Sequence, residues 1–325
     1  MTVALFTLGG TIAMAGTGSG GVVSRLTGAD LTAAVPGLAG IPLDVRDVEA
    51  VPSAALAYQQ ILDLVDAAGA AVADGATGVV VTQGTDTLEE TAFLADLVWP
   101  HPEPLVFTGA MRNPTLAGPD GPANLLAAAR VAAAPAARDL GVLVAFNDEV
   151  HAARFVRKTH STSTATFASP NAGPLGHVIE GAVRLLTRPP RHAPLPPVDR
   201  DRLAATRVAL HTVTLDDDAA LLDALTPGLD GLVVAGFGVG HVPPDFAPAL
   251  GALAARMPVV LASRTGAGSV LRDTYGAVGS ETDLRRRGLV CGGLLDPYKA
   301  RVLLRMLLAG GADRPAVDGA FARHG

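Results

Sequence analysis

The sequence predicts an α/β protein with two domains, a large N-terminal domain built on a parallel sheet and a smaller C-terminal α/β domain. Its 325 residues suit two domains of about 150 to 200 residues each. Short apolar runs alternate with longer helical stretches, which is typical of a parallel sheet covered by helices on both faces. One proline-rich segment interrupts the alternation. We therefore expect a large N-terminal α/β domain at 1–186, a proline-rich linker at 187–203 and a smaller C-terminal α/β domain at 204–325.

The first half contains apolar runs of strand length, bounded by Gly, Thr or Asp. They predict buried strands at residues 3–7, 43–48, 78–82, 105–108 and 141–146. The stretches between them are longer and rich in Ala and Leu. They predict helices at residues 58–73, 88–98 and 123–134, the last with Pro122 at its start.

Five prolines lie between Thr187 and Pro197. Because proline cannot join a central strand or a helix interior, this segment is predicted to be a semi-rigid linker. Strand-like runs return at residues 207–210, 232–235 and 259–262. Two helices are expected after them, with Asp296 and Pro297 opening the last long one.

Composition excludes several classes of protein. The formal net charge of −6 argues against a broad basic surface for nucleic acid. The sequence has no run of about 18 apolar residues, so no membrane span is expected. The single cysteine, Cys291, excludes an internal disulfide framework and a Cys-based zinc site. The N-terminus has no signal-peptide pattern, so we expect a cytoplasmic protein.

Lysine is the rarest basic residue of the chain. Of 25 Lys and Arg residues, only Lys158 and Lys299 are lysine. Arginine stays protonated in proteins, whereas burial can lower the pKa of a lysine enough for it to act as a base. Lys158 is therefore a candidate base, although a residual surface lysine is the alternative interpretation.

Polar side chains follow successive predicted strands of the large domain. Thr11, Ser53 and the pair Thr85–Asp86 come after strand ends, and Lys158 follows a fourth strand. In open parallel sheets, ligands bind beyond the carboxyl ends of the strands, so a flavodoxin-like domain would bring these groups together. A threonine hydroxyl needs a neighbouring base to become a good nucleophile.

Each of these residues also has a structural interpretation. Thr85 and Asp86 precede the acidic first turn of a predicted helix and could form its N-cap. Ser53 could cap the helix that follows it. A site is favoured only because the groups occur together on successive strand ends.

Five motifs occur in one order along nearly the whole chain. They are LGGTIA at 8–13, QGTDTLEETA at 83–92, RKT at 157–159, GPLG at 173–176 and DPYKAR at 296–301. Together they resemble the bacterial-type L-asparaginase/glutaminase family.

The resemblance implies an amide hydrolase that converts L-asparagine to L-aspartate and ammonia through an acyl-enzyme on threonine. Thr11 matches the family's nucleophile. Thr85 matches the second catalytic threonine, which works with Lys158 and Asp86. The alternatives are a glutaminase or a dual glutaminase-asparaginase, and, in a different class, a non-catalytic amino-acid-binding protein on the same fold.

The resemblance also implies how substrate is held. Asp86 would bind the α-ammonium and Ser53 the α-carboxylate, while backbone N–H groups around Gly84 and Thr85 would stabilise the oxyanion. No metal or organic cofactor is implied. The family builds each site between the large domain of one subunit and the small domain of another, so we expect a homo-oligomer, a tetramer or a dimer.

The chain departs from the family pattern at four places. Ser53 is followed by Ala54 rather than by the glutamine common in the secreted enzymes. The lid segment at 16–23 (GTGSGGVV) lacks the usual tyrosine. His241 stands where relatives have an amide or a small polar residue. The glutamate that meets the substrate ammonium from a partner subunit has no clean counterpart, and Asp273 and Tyr275 are the nearest candidates.

Other enzyme classes lack their motifs here. A dinucleotide-binding oxidoreductase would need G-x-G-x-x-G between a strand and a helix, and neither glycine-rich turn has this spacing. A serine hydrolase would need a G-x-S-x-G elbow. The eight histidines include no H-E-x-x-H pair, so no metal site is predicted.

Overall fold

The computed structural model describes residues 2–16, 22–24, 27–48 and 51–325, and it divides into two compact units, Met1–Leu195 and Pro196–Gly325. The division falls inside the predicted linker. Residues 187–199 form neither strand nor helix, and the helix Arg200–Ala205 begins inside the range predicted as linker. Residues 17–21 of the predicted lid lie outside the described residues.

The first unit contains the strands and helices that lead up to the proline-rich segment. In chain order they are β1 (Thr2–Thr7), β2 (Met14–Gly16), β3 (Val22–Ser24), α1 (Gly28–Ala33), β4 (Leu43–Asp47), α2 (Tyr58–Ala73), β5 (Ala76–Thr82), α3 (Leu88–Val98), β6 (Leu105–Thr108), α4 (Gly121–Ala133), β7 (Val142–Phe146), β8 (Glu149–Ala152), β9 (Arg157–Lys158), β10 (Phe167–Ala168), β11 (Gly176–Ile179) and β12 (Ala182–Leu185).

The large sheet has the strand order β12-β11-β8-β7-β6-β5-β1-β4. Strands β4, β1, β5, β6 and β7 are parallel, in the 2-1-3-4-5 order of flavodoxin-like folds. Beyond β7, each of the strands β8, β11 and β12 pairs antiparallel with the strand before it in the sheet. The sheet is therefore mostly parallel with an antiparallel edge. The chain reverses directly after β7 because Asn147 and Asp148 both have positive φ, which makes a tight hairpin.

The helices of the first unit bury apolar side chains along one face. The α2 helix buries Ile61, Leu64, Val65 and Ala68 on one face, at the spacing of an amphipathic helix. The bounds predicted for α2 and α3 are correct, whereas α4 spans Gly121–Ala133 rather than 123–134. None of the described helices is long and apolar enough to cross a lipid bilayer.

The second unit is a smaller α/β unit. After α5 (Arg200–Ala205) it contains β13 (Val208–Thr212), α6 (Ala220–Leu225), β14 (Gly231–Gly236), α7 (Phe246–Ala254), β15 (Val259–Ser263), α8 (Glu281–Arg286), β16 (Val290–Cys291), α9 (Pro297–Ala309) and α10 (Arg314–His324). Its sheet has the order β13-β14-β15-β16, and every pair is parallel.

The sequence prediction was wrong about the end of the second unit. The α9 helix opens at Asp296 and Pro297 as predicted, but α10 follows it. The apolar signal of α10 is weak, because only Val317, Ala320 and Phe321 are buried along its length.

The turns after β1 and β5 pack backbone against backbone. Gly10 has φ +86°, and a Cβ built on it would lie 2.3 Å from the backbone nitrogen of Gly84. A Cβ on Gly84 would in turn lie 2.7 Å from Ser53 Oγ. Only glycine permits these approaches. The two glycines therefore fix how closely the residues after β1, β4 and β5 can gather.

Gly10→Ala is expected to destabilise the fold by at least about 2 kcal/mol, because it adds both a backbone clash and left-handed strain. Thermal or urea unfolding measures the change. Gly40→Ala is the matched control, since a Cβ there meets nothing within 4 Å. Equal stabilities for the two variants would contradict the proposed close approach.

Candidate active site

The candidate site lies at the carboxyl ends of β1 and β5. The chain leaves β1 towards β4 on one side and leaves β5 towards β6 on the other, so these neighbouring strands form the topological switch point of the sheet. Ligands of open α/β sheets bind at such a point. Thr11 begins a 3₁₀ turn after β1, and Thr85 follows β5.

Lys158 contacts two residues of the turn that follows β5. Its Nζ donates to Thr85 Oγ1 at 2.9 Å and to Asp86 Oδ1 at 3.2 Å. The lysine side chain is 17% exposed and the Asp86 side chain is 67% exposed. Three of the residues singled out from the sequence thus form one connected group, although Lys158 is 73 positions from Thr85 in the chain.

The Thr85 hydroxyl has a second partner that the sequence did not reveal. It donates to Met111 Sδ at 3.4 Å while it accepts from Lys158. Met111 is itself held in place, because its backbone N–H donates to the Asp120 carboxylate at 3.0 Å. A thioether is a weak acceptor, so the Thr85 proton can be directed elsewhere at little cost.

Ser53 joins the same turn through the backbone. Its hydroxyl accepts from the N–H of Asp86 at 3.2 Å, and its carbonyl accepts from the Thr87 hydroxyl at 2.9 Å. Ser53 is buried. It does not cap the helix that follows, since Ala57 is the N-cap of α2.

The structure also decides the capping question at α3. Thr87, rather than Thr85 or Asp86, occupies the N-cap position, and it forms no side-chain capping bond. The Thr85 side chain is directed to Lys158 and Met111 instead. The structural alternative that the sequence left open for Thr85 and Asp86 is therefore wrong.

Two buried side chains of this region had no assigned part in the sequence prediction. Gln83 accepts from the Thr91 hydroxyl at 2.9 Å and donates to the Gly84 carbonyl at 3.3 Å, which holds the turn. Glu89 Oε2 accepts from the backbone N–H of Lys158 at 3.2 Å. From the sequence, Glu89 was only an acidic residue in the first turn of a helix.

Thr11 is partly buried at the start of its 3₁₀ turn, next to the approach of Gly10 to Gly84. Within the described ranges, its hydroxyl has no hydrogen-bond partner.

His241 and Tyr275 lie in the second unit, in one cluster. The two rings meet edge to face, with centroids 4.9 Å apart. His241 Nε2 lies 3.1 Å from Glu281 Oε2, and the backbone N–H groups of Thr274 and Tyr275 donate to Glu281 Oε1 at 2.9 and 2.7 Å. The sequence prediction missed Glu281, which joins this cluster from the first turn of α8.

The Glu281 carboxyl is fully buried. Its burial opposes ionisation, but the N–H groups of Tyr275 and Thr274 and the His241 ring outweigh that effect and lower the pKa of Glu281. A buried carboxylate therefore stands beside His241.

The other two residues noted in this unit are separate from that carboxylate. Asp273 is 84% exposed and pairs with Arg285 at 2.9 Å. Lys299 is completely buried in the first turn of α9.

The chain was compared with known families, proteins and structures. Residues 2–191 match the family described as "Asparaginase, N-terminal", and residues 207–321 match the "Glutaminase/Asparaginase C-terminal domain". A probable L-asparaginase of Deinococcus radiodurans is 35% identical over 99% of this chain and 97% of that protein. The L-asparaginase of Bacillus licheniformis is 34% identical over 94% and 95% of the two chains.

The fold is also that of a solved relative. The crystal structure of a probable cytoplasmic L-asparaginase from Campylobacter jejuni has a TM-score of 0.88 and 31% identity, and the match covers 98% of both chains. Two matching domain families and relatives along the whole length of the chain lead to one conclusion: the protein belongs to the asparaginase family, as its motifs predicted.

Proposed function

We propose that this protein is an L-asparaginase, which hydrolyses the side-chain amide of L-asparagine to L-aspartate and ammonia. The observation that carries the proposal is the Thr85–Asp86–Lys158 group at the switch point, with Lys158 Nζ 2.9 Å from Thr85 Oγ1. The names of its relatives support the same reaction.

In the proposed mechanism, the Thr11 hydroxyl attacks the amide carbon of the substrate. As the C–O bond forms, the hydroxyl proton leaves Thr11, and the amide nitrogen departs as ammonia after gaining a proton. The product of this half is an aspartyl ester on Thr11. Water then attacks the ester, which releases L-aspartate and restores the hydroxyl.

Thr85 and Lys158 are proposed to move the protons. In the described arrangement, the lysine ammonium donates to Thr85. After giving up one proton, the amine would present its lone pair to the same hydroxyl at the same distance, and it could then accept the Thr85 proton. Thr85 would take its replacement from Thr11 in the first half or from water in the second.

Three groups are proposed to hold the substrate. The exposed Asp86 carboxylate is available for the α-ammonium. Ser53 Oγ accepts from the Asp86 N–H, and its own proton would be donated to the α-carboxylate. Backbone N–H groups at Gly84 and Thr85 would bind the oxyanion.

Several finer points remain part of the proposal. Glutamine is a second candidate substrate, because the family matched by residues 207–321 is described by both activities. Substrate contacts of His241, Asp273 and Tyr275, assembly into a dimer or tetramer, and residence in the cytoplasm are predictions of the sequence.

The purified protein is expected to release ammonia from L-asparagine without an added cofactor, and to do so faster than from L-glutamine at the same concentration. A coupled ammonia assay measures both rates. A faster rate with glutamine would make the protein a glutaminase. Binding of either amino acid without ammonia release would identify the non-catalytic alternative.

Thr11→Ala is expected to lower kcat at least about 1,000-fold, because it removes the proposed nucleophile. Thr187→Ala provides the control, since Thr187 is an exposed threonine outside the site. The assay is the same ammonia release, with unfolding measured for both variants. Full activity of a folded Thr11→Ala variant would refute the nucleophile assignment.

A further inference from the structure

We propose that Glu89 is a positioning residue that holds the backbone of Lys158, and thereby its Nζ, in place beside Thr85. The proposal deepens the proposed function and rests on it for its kinetic consequence. It begins with the strand that carries the lysine. Strand β9 is only two residues long, and β10 is its one partner strand in the described part of the chain.

The hydrogen bonds of this hairpin show where the Lys158 N–H points. The Thr159 N–H donates to the Thr166 carbonyl at 2.8 Å, across the hairpin on the side of β10. Because successive N–H groups of a strand point in opposite directions, the Lys158 N–H faces away from β10. On that side, the Lys158 N–H donates a hydrogen bond to Glu89 Oε2 at 3.2 Å.

The surroundings of Glu89 suit a carboxylate that accepts a hydrogen bond. The side chain is 9% exposed and lies in the first turn of α3, where the helix dipole stabilises negative charge. Arg157 Nε lies 4.0 Å from the same carboxylate oxygen.

The segment 85–89 thus contacts both the side-chain nitrogen and the backbone nitrogen of Lys158. Thr85 and Asp86 accept from Nζ, and Glu89 accepts from the backbone nitrogen. If the backbone end were released, the hairpin could shift while its fold persisted. A misplacement of about 1 Å in catalytic geometry can cost about 100-fold in rate.

Two variants separate the reach of the side chain from its charge. Glu89→Gln keeps the length and an acceptor oxygen but loses the charge, whereas Glu89→Asp keeps the charge and withdraws the oxygen by one methylene. Positioning predicts that Asp lowers kcat for L-asparagine about 10- to 100-fold with KM within about threefold, and that Gln stays within about fivefold of wild type.

Glu103→Asp is the control variant. Glu103 forms an ion pair with Arg138 at 2.8 Å, and Arg138 is not a residue of the proposed site. Shortening Glu103 should change stability while leaving kcat per folded molecule unchanged. A purely structural role for Glu89 would give its Asp variant the same behaviour as this control, and that result would overturn the proposal.

A second readout does not depend on activity. Because the chain has only two lysines, NMR of protein labelled with ¹³C at lysine Cε should show two lysine signals. Lys158→Arg assigns them, and the buried Lys299 serves as the internal reference. We expect Glu89→Asp to move the Lys158 signal, Glu89→Gln to move it less, and neither to move Lys299.

The outcomes distinguish this inference from the proposed function. If wild type releases no ammonia but the Lys158 signal moves in Glu89→Asp, the function fails and the positioning of Lys158 stands. An unmoved Lys158 signal in folded Glu89→Asp overturns the positioning role. A larger loss of kcat in Gln than in Asp also overturns it, because charge would then matter rather than reach.

Discussion

The hydrogen bond from Lys158 Nζ to Thr85 Oγ1 is the contact on which the rest of the candidate site depends. It joins a two-residue strand to the turn after β5, across 73 positions of sequence. The close backbone approach of Gly10 to Gly84 sets how near the turn that carries Thr11 can lie to the turn that carries Thr85. Ser53 and Glu89 then hold the backbone on either side of the contact, so its two partners are fixed by neighbours rather than by each other alone.

Part of this arrangement could be predicted from the sequence, because the ends of neighbouring parallel strands must gather at one edge of a sheet. Thr85 and Asp86 follow β5 as expected, and Ser53 lies on the adjoining backbone. Lys158 reaches them from a short antiparallel hairpin rather than from the end of a parallel strand. Met111 and Glu89 could not be recognised. Their parts depend on which way the Thr85 hydroxyl and the Lys158 N–H point, and local sequence does not encode either direction.

In the second unit, too, the sequence did not show which carboxylate would be buried. Comparison with the family directed attention to Asp273 and Tyr275, yet Asp273 pairs with Arg285 at the surface, and the buried carboxylate is Glu281. The sequence placed Glu281 near these residues without showing that two backbone N–H groups and His241 would converge on it. Neither lysine is an exposed surface residue, so the surface interpretation of Lys158 is wrong, while its role as a base stays a prediction.

The most direct test of the account is a double-mutant cycle between Thr85→Val and Lys158→Met, with kcat/KM for L-asparagine measured for all four proteins. If the pair acts as one proton-transferring unit, each single change should cost at least about 100-fold and the double variant should be at most about 10-fold worse than the poorer single one. Independent, multiplicative losses of about 10,000-fold or more in the double variant would contradict the account.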